Sequence, residues 1–262
     1  MVHALPAFYD NYIWVIERCS DGHVVVIDPG DATVVLDWLA EHSFTLKAIL
    51  ITHKHADHIG GIAKLTQFTP VPVHGNLTSS HLITHGISVG DEIEVIGLKM
   101  QVLDLKGHTL DHIGFFATAE NNIPEPWLFC GDTLFSAGCG RLFEGSPSQM
   151  LTALDKIAEL PRQTQIYPAH EYTCANIQFA LHVNPGNAEL HNYASVCHQQ
   201  RAKGLRTLPT TLAMELAVNP FLRCQDQEII SIVCQHLNKT DANSRLSVFT
   251  SLRAWKDVFK TN

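Results

Sequence analysis

The sequence predicts an α/β domain followed by a small all-helical domain. Up to about residue 173, short apolar runs typical of buried strands alternate with segments of helical periodicity. Beyond that point the apolar residues recur only at helical spacing, and Pro185, Pro209 and Pro220 interrupt them. Mixed strands and helices followed by helices alone indicate two structural units. We therefore place the α/β domain at residues 1–173 and the helical domain at residues 174–262.

The elements of the first domain each have a local cause. Asp31 is placed to cap a helix that runs to about Glu41, and a second helix is expected over 59–68. The clearest helix start is Ser146-Pro147-Ser148-Gln149, because serine caps, proline suits the first helical position and glutamine completes a capping box. Apolar, β-branched runs predict strands over 12–16, 24–27, 48–51, 72–74, 92–96, 100–105, 113–117, 127–130 and 165–167.

Composition and charge exclude several classes of protein. The net charge of −8 argues against a nucleic-acid partner, which would need a basic surface. The chain has no apolar run of about 20 residues and no signal peptide, so we expect a cytoplasmic protein without a membrane partner. Its seven cysteines form no C-x-x-C pair and are expected to be reduced and mostly buried.

Four potential metal ligands follow the predicted strand over 48–51. They are His53, His55, Asp57 and His58, and Gly60-Gly61 come directly after them. Imidazole and carboxylate groups together suit zinc, iron or manganese. His53 and His55 alternate, so in an extended segment they point the same way and can share one ion. A solvated polar loop is the alternative, but no packing requirement would crowd these groups behind a buried strand.

Three later residues complete the predicted metal site. His108, Asp132 and His170 each lie just past the end of a predicted strand, where α/β sheets place their functional residues. Either histidine alone would be read as a surface residue, but the repeated pattern favours ligands. Five histidines and two aspartates are enough for two ions bridged by one carboxylate and one solvent oxygen. His112, four residues after His108, is an eighth candidate ligand, but we favour a supporting role because the ligand set is already full.

Several segments carry a resemblance to a known family. Thr52 to His58, together with His108, Asp132 and His170, resembles the metallo-β-lactamase superfamily pattern. The resemblance then narrows to glyoxalase II, the hydroxyacylglutathione hydrolase family, and it covers essentially the whole chain. The segments that carry this narrower resemblance are 7–14, 130–135, 138–145, 170–173 and 252–257.

The resemblance implies an αββα metallo-β-lactamase-like sandwich followed by the helical domain, with substrate between them. It assigns His53, His55 and His108 to the first metal, and Asp57, His58 and His170 to the second. Asp132 would bridge the ions, and Asp57 and Asp132 would be the catalytic carboxylates. Strand parity alone would have grouped Asp57 with His53 and His55. The implied glutathione contacts are Arg141, Phe143, Tyr172, Arg253 and Lys256; without the resemblance, Arg253 and Lys256 would be read as a solvated helix face.

The reaction implied is hydrolysis of the thioester S-D-lactoylglutathione, and of other S-2-hydroxyacylglutathiones, to glutathione and D-lactate. It is the second step of methylglyoxal detoxification. The nucleophile would be a hydroxide that bridges two divalent ions, zinc in the first instance with iron or manganese as alternatives, in a monomeric protein. Other readings are a different hydrolase on the same scaffold, such as a lactonase or RNA-processing nuclease, an iron-dependent glutathione-persulfide dioxygenase, and a non-catalytic binding protein.

Three positions depart from the usual pattern of that family. Phe143 stands where many members have tyrosine, which removes one possible hydrogen bond to glutathione. Lys106 replaces a usual proline before Gly107, and Asp111 replaces a small glycine before His112. These charges lie next to the predicted ligands but remove none of them.

Overall fold

A computed structural model describes residues 1–18, 21–119, 123–237 and 244–260. Its first sheet has six strands in chain order. The first three strands pair antiparallel, and each of the last three pairs parallel with the strand before it. The strands are β1 (Val2–Ala7), β2 (Asn11–Glu17), β3 (His23–Ile27), β4 (Thr45–Leu50), β5 (Val73–Gly75) and β6 (His85–Gly86).

The second sheet is also six-stranded, in the order β14-β13-β10-β9-β8-β7. A separate short hairpin of β11 and β12 follows β10. The strands of this half are β7 (Glu92–Val95), β8 (Leu98–Asp104), β9 (Ile113–Ala117), β10 (Trp127–Gly131), β11 (Leu134–Phe135), β12 (Gly138–Cys139), β13 (Gln165–Pro168) and β14 (Thr210–Thr211).

Helices cover both outer faces of the paired sheets. They are α1 (Ala32–His42), α2 (Ala56–Ile59), α3 (Ile62–Phe68), α4 (Pro147–Ala158), α5 (Thr173–Val183), α6 (Ala188–Ala202), α7 (Leu212–Val218), α8 (Gln227–Leu237) and α9 (Arg245–Val258). Helices α1 and α3 pack on the first sheet, whereas α4, α5, α7, α8 and α9 share a core with the second, and α6 packs in a smaller cluster with α5 and α7. Between the sheets, Trp14 and Ile16 meet Phe115 and Phe129. The predicted αββα sandwich is confirmed.

The predicted helix caps agree with the structure, and some element boundaries do not. The Asp31 side chain accepts from the Thr33 amide at the start of α1, and the full capping box is present at Ser146. The single helix predicted over 59–68 is wrong, because α2 ends before Gly60 and α3 begins after Gly61. Strand β1 was not predicted.

Among the described residues after 173, the regular elements are helices α5 to α9 and the strand β14. This strand pairs with β13 and so extends the second sheet. The division into domains at residues 173 and 174 stays a prediction. The six described cysteines are free thiols, whereas Cys19 lies outside the described residues. Among the described helices, none combines the length and apolarity required to cross a membrane.

Candidate metal centre

The ligand loop begins extended and ends helical, and this change divides its side chains between two groups. Strand β4 ends at Leu50, and His55, directly before α2, has an extended backbone (φ −63°, ψ 146°). Asp57 and His58 then lie in the first turn of α2. The alternation of side chains expected for a strand therefore holds for His53 and His55 but stops before Asp57.

The first group consists of His53, His55, His108 and Asp132, whose ligand-type atoms lie within 4.8 Å of one another. The inward nitrogen of His55 is Nδ1, which is 3.1 Å from His53 Nε2 and 3.0 Å from His108 Nε2. Asp132 Oδ2 is 3.4 Å from His108 Nε2. Three imidazoles and one carboxylate thus converge on one point.

The second group consists of Asp57, His58 and His170. Asp57 Oδ2 is 3.5 Å from His58 Nε2 and 3.4 Å from His170 Nε2. Asp132 Oδ1 approaches the same two nitrogens, at 3.5 and 3.4 Å. One oxygen of Asp132 therefore faces each group, which is the placement expected of a bridging carboxylate.

The outer ring nitrogens of four histidines are held by oxygen atoms. Such contacts fix the orientation of a metal-binding imidazole and turn its other nitrogen inward. The Nδ1 pairs are His53 with Thr52 Oγ1 (3.0 Å), His58 with Asp28 Oδ2 (2.9 Å), His108 with the Arg141 carbonyl (2.8 Å) and His170 with Asp10 Oδ1 (2.8 Å).

The donor set fits metal ions. Buried polar atoms normally have a partner, yet His58 Nε2 and Asp132 Oδ1 are buried without a hydrogen bond. Both atoms point toward the place where the two groups meet. Ligand atoms 3.0–3.5 Å apart suit an ion that binds nitrogen and oxygen at about 2 Å. The site is thus compatible with a dinuclear centre, and the individual ligand roles remain predictions.

The carboxylates of Asp132 and Asp28 favour positive charge at this site. Burial and the neighbouring histidines lower the pKa of His53 well below its ordinary value, so this ring is neutral and ready to bind a metal. Burial alone would also lower the pKa of His58, but Asp132 and Asp28 outweigh it and raise that pKa well above the ordinary value. Burial opposes ionisation of Asp132, yet the charges of His58 and His170 hold its pKa below the usual range.

Removing the ions with a chelator is expected to lower the melting temperature. A ligand that binds only the folded chain stabilises it by about 2.7 kcal/mol at 100 times its Kd. For a chain of this size, about 1 kcal/mol shifts Tm by roughly 2–4 °C. We therefore expect a fall of roughly 5–10 °C in scanning calorimetry, reversed by added zinc. An unchanged Tm in a chain first shown to contain metal would contradict the structural fit.

His112 supports the site from behind. Its ring stacks on His53 at 4.6 Å and 19°, and its Nε2 accepts the backbone N–H of Asp132 at 3.1 Å. Burial lowers its pKa to about 3, so it remains a neutral acceptor. Gly131 has φ +49°, and a Cβ there would lie 2.8 Å from His112 Nε2. The glycine therefore allows Asp132 to turn toward both groups.

A cavity of about 470 Å³ opens directly onto the two groups. This volume lies within the range of small-molecule sites. Five of the predicted ligands and three cationic side chains line this same cavity. The lining residues are His55, Asp57, His108, Asp132, Phe135, Cys139, Arg141, Phe143, His170, Tyr172, Ala175, Asn176, Arg253, Lys256 and Asp257. Every residue expected to contact glutathione is among them.

The solvated-face reading of the last helix is wrong for Arg253. Only 5% of this residue is exposed, and its guanidinium donates to the Cys139 carbonyl at 2.6 Å and to Asp257 at 3.1 Å. Lys256 is half-buried and donates to the Ala175 carbonyl at 3.1 Å. Asp257 also lies 3.3 Å from the exposed Arg141, so it joins two of the pocket's cations.

The three departures from the family pattern occupy different surroundings. Phe143 is 61% exposed, and its ring lies edge-on to His55 and His108 at the mouth of the cavity. Asp111 is buried and accepts from the Ser79 hydroxyl. Lys106 is half-buried beside Asp104. None of the three belongs to either ligand group found among the described residues.

The sequence analysis did not identify Asp28 and Asp10, the carboxylates that hold the outer nitrogens of two ligand histidines. Asp28 follows the end of β3, so the strand-end rule that found His108 also applies to it. Asp10 holds His170, and the neighbouring Asn11 donates to Asp57 Oδ2 at 2.9 Å. Both lie in the N-terminal segment that carries the resemblance, but their sequence positions give no sign of these contacts.

Comparisons with known proteins agree with this geometry. Residues 7–170 match the metallo-beta-lactamase superfamily model, and residues 171–259 match the model described as hydroxyacylglutathione hydrolase C-terminus. A hydroxyacylglutathione hydrolase from Vibrio cholerae serotype O1 is 47% identical over 260 residues, which cover 98% of this chain and 99% of that one. The chain belongs to the hydroxyacylglutathione hydrolase family.

A second relative supports this assignment, and a solved structure supports the fold. A hydroxyacylglutathione hydrolase from Idiomarina loihiensis is 46% identical over 98% of both chains. Among solved structures, ETHE1 from Myxococcus xanthus superposes with a TM-score of 0.65 and 25% identity, covering 97% of each chain. The identity to the hydroxyacylglutathione hydrolases is thus far higher than to this structural neighbour.

Proposed function

We propose that this chain hydrolyses S-D-lactoylglutathione, and other S-2-hydroxyacylglutathiones, to glutathione and D-lactate. The observation that carries the proposal is one cavity lined both by residues of the two ligand groups and by Arg141, Arg253 and Lys256. Membership of the hydroxyacylglutathione hydrolase family supports the same reaction. These cations suit the carboxylates of the glutathione peptide.

In the proposed mechanism, His53, His55 and His108 would hold one ion and Asp57, His58 and His170 the other, and Asp132 would contribute to both. When bound, the ions supply Lewis acidity for the thioester carbonyl and a hydroxide nucleophile at neutral pH. Zinc is the proposed metal, although iron and manganese suit the same donors.

The residues of the chain orient the reactants. Asp57 faces the cavity, and Asn11 holds one of its oxygens, so the carboxylate can orient the attacking water. Arg253 and Lys256 hold the glutathione carboxylates, and Tyr172 and Phe143 line the same cavity. A glutathione thiol has a reference pKa of about 8.5, so the thiolate leaves without a dedicated general acid.

The first experiment measures loss of thioester absorbance with S-D-lactoylglutathione, together with the metal content of the same sample. Rapid hydrolysis by a chain with about two ions would support the proposal. A fully loaded chain without activity would contradict the substrate. The rival persulfide dioxygenase needs only one metal, and the two ligand groups and the C-terminal match disfavour it. Oxygen uptake with glutathione persulfide would instead support the dioxygenase.

The activity is expected to decline above pH 8 because Lys256 loses its charge. Burial, followed by the neighbouring charge of Arg253, lowers the pKa of Lys256 to about 8. Below that pH the ammonium binds a glutathione carboxylate; above it the neutral amine does not. We expect kcat/KM, which reports the free enzyme, to fall through this range. In Lys256→Arg the charge persists, so the decline should move to higher pH. Superimposable pH profiles would contradict the role of Lys256.

The remaining proposals concern the protein as a whole. We propose that it acts as a monomer in the cytoplasm, with a small-molecule thioester and no nucleic-acid partner. Light scattering of the purified chain tests the oligomeric state. The proposed boundary at residues 173 and 174 would place Arg253 and Lys256 on the second domain and the metal ligands on the first.

A further inference from the structure

Helix α7 carries a carboxylate that is buried without a cation. Glu215 is fully buried, and none of the ion pairs found among the described residues involves it. Its Oε1 accepts from Ser136 Oγ and Thr210 Oγ1, both at 2.9 Å. Its Oε2 accepts from the Ala137 amide at 2.8 Å and from Asn219 Nδ2 at 2.9 Å. Four donors therefore converge on this one side chain.

The buried Glu215 fixes the positions of its hydrogen-bond donors more than it stabilises the folded chain. Removing a carboxylate from water is costly, and hydrogen bonds must compensate for the loss. An apolar residue of similar size would be buried without that cost. The hydrogen bonds of Glu215, unlike apolar contacts, define where their donors lie. Two of those donors, Ser136 and Ala137, form the turn of the β11–β12 hairpin.

Asn219 holds the same hairpin from the end of α7. Its Nδ2 lies 3.1 Å from the Phe135 carbonyl and 2.9 Å from the Gly138 carbonyl, so it contacts both strands. Ala137 has φ +54°, a conformation that is uncommon outside glycine. The bond from its amide to Glu215 compensates for that conformation. Glu215 and Asn219 together therefore hold this turn in its position.

The hairpin forms one wall of the cavity. The Phe135 ring lies 5.0 Å from the Tyr172 ring and 5.9 Å from the His170 ring. On the other strand, the Cys139 carbonyl accepts from the Arg253 guanidinium at 2.6 Å. A displaced hairpin would therefore move both an aromatic surface of the pocket and the anchor of its buried arginine.

We propose that Glu215, assisted by Asn219, is a positioning residue for substrate binding that acts through the β11–β12 hairpin. It touches neither the substrate nor the metal ligands, and it sets the wall against which the glutathione part of the substrate lies. The inference rests on the proposed function, because the wall matters only if a glutathione thioester occupies this cavity.

The test is the variant Glu215→Gln, which keeps the size of the side chain but replaces one acceptor oxygen with a donor. That donor would face the amide of Ala137 or the other donors around it. We expect KM for S-D-lactoylglutathione to rise roughly fivefold to tenfold. The value of kcat should change less than about twofold, with two ions retained per chain, because no metal ligand moves.

A readout independent of substrate separates this inference from the proposed function. Hydrogen exchange at the amides of residues 134–140 should be faster in Glu215→Gln than in the unmodified chain. If the unmodified chain does not hydrolyse the thioester, the proposed function fails, and the exchange result still shows whether Glu215 holds the hairpin. Unchanged exchange there would overturn the inference.

Matched variants exclude a general loss of stability. Val233→Ala removes a buried apolar contact in α8 and should lower Tm without changing KM. Asn219→Ala should reproduce the higher KM and serves as the second variant if Glu215→Gln does not fold. An unchanged KM in the folded variants would overturn the proposal. So would a loss of kcat and metal at constant KM, because that would place the effect at the metal centre.

Discussion

Replacing Asp132 with alanine will abolish thioester hydrolysis and lower the metal content below two ions per chain. One oxygen of this carboxylate faces His108, and the other faces His58 and His170. Loss of the side chain therefore affects both groups of ligands at once. Mutating partners behind the ligands typically costs 10- to 100-fold in metal affinity or activity, so we expect more than about 100-fold in kcat/KM here. Metal analysis and thioester hydrolysis measure both effects.

Two further variants define the cause of that loss. Asp132→Asn keeps the shape of the side chain but removes its charge, so it should also lose metal if the charge is what matters. Asp37→Ala removes an exposed carboxylate on α1 and should match the unmodified chain. An Asp132→Ala variant that retains two ions and turns over normally would defeat the assignment of the site.

Replacing Arg253 with alanine will raise KM by roughly 10- to 100-fold while kcat changes far less. Hydrogen bonds to charged groups contribute about 1.5–3 kcal/mol, and each 1.4 kcal/mol is a factor of ten in affinity. The metal content should not change, because Arg253 belongs to neither ligand group. Steady-state kinetics and metal analysis of the same sample measure the two quantities.

The shape of the guanidinium can be separated from its charge. Arg253→Lys keeps a positive charge but cannot bind the Cys139 carbonyl, Asp257 and a substrate carboxylate with one planar group. We expect an intermediate KM for it. Arg162→Ala, at an exposed position, is the control. An unchanged KM in Arg253→Ala would remove this residue from the binding role.

Strand ends in the sequence identified candidate ligands, whereas side-chain parity did not group all of them as the structure does. His108 and Asp132 were found because each follows a strand, and the ends of neighbouring strands meet at one edge of the sandwich. Parity along an extended chain failed at Asp57, because α2 begins at Ala56 and rotates the side chain toward His170. The family resemblance assigned Asp57 to the second group, and the structure brings it together with His58 and His170.

Short-range interactions account for most of what the sequence determined. The cap at Asp31, the capping box at Ser146 and the buried strand before His53 depend on residues within a few positions of one another. Local propensity and periodicity are therefore sufficient to predict them.

Only the tertiary structure decided the other features, because they join residues far apart in the chain. The burial of Arg253 depends on a carbonyl 114 positions away, and Glu215 holds a hairpin 78 positions before it. A helical pattern shows that one face will be covered but does not identify the covering group. Local patterns thus identified the ligand residues, whereas their convergence into two groups and the burial of Arg253 arise from long-range packing.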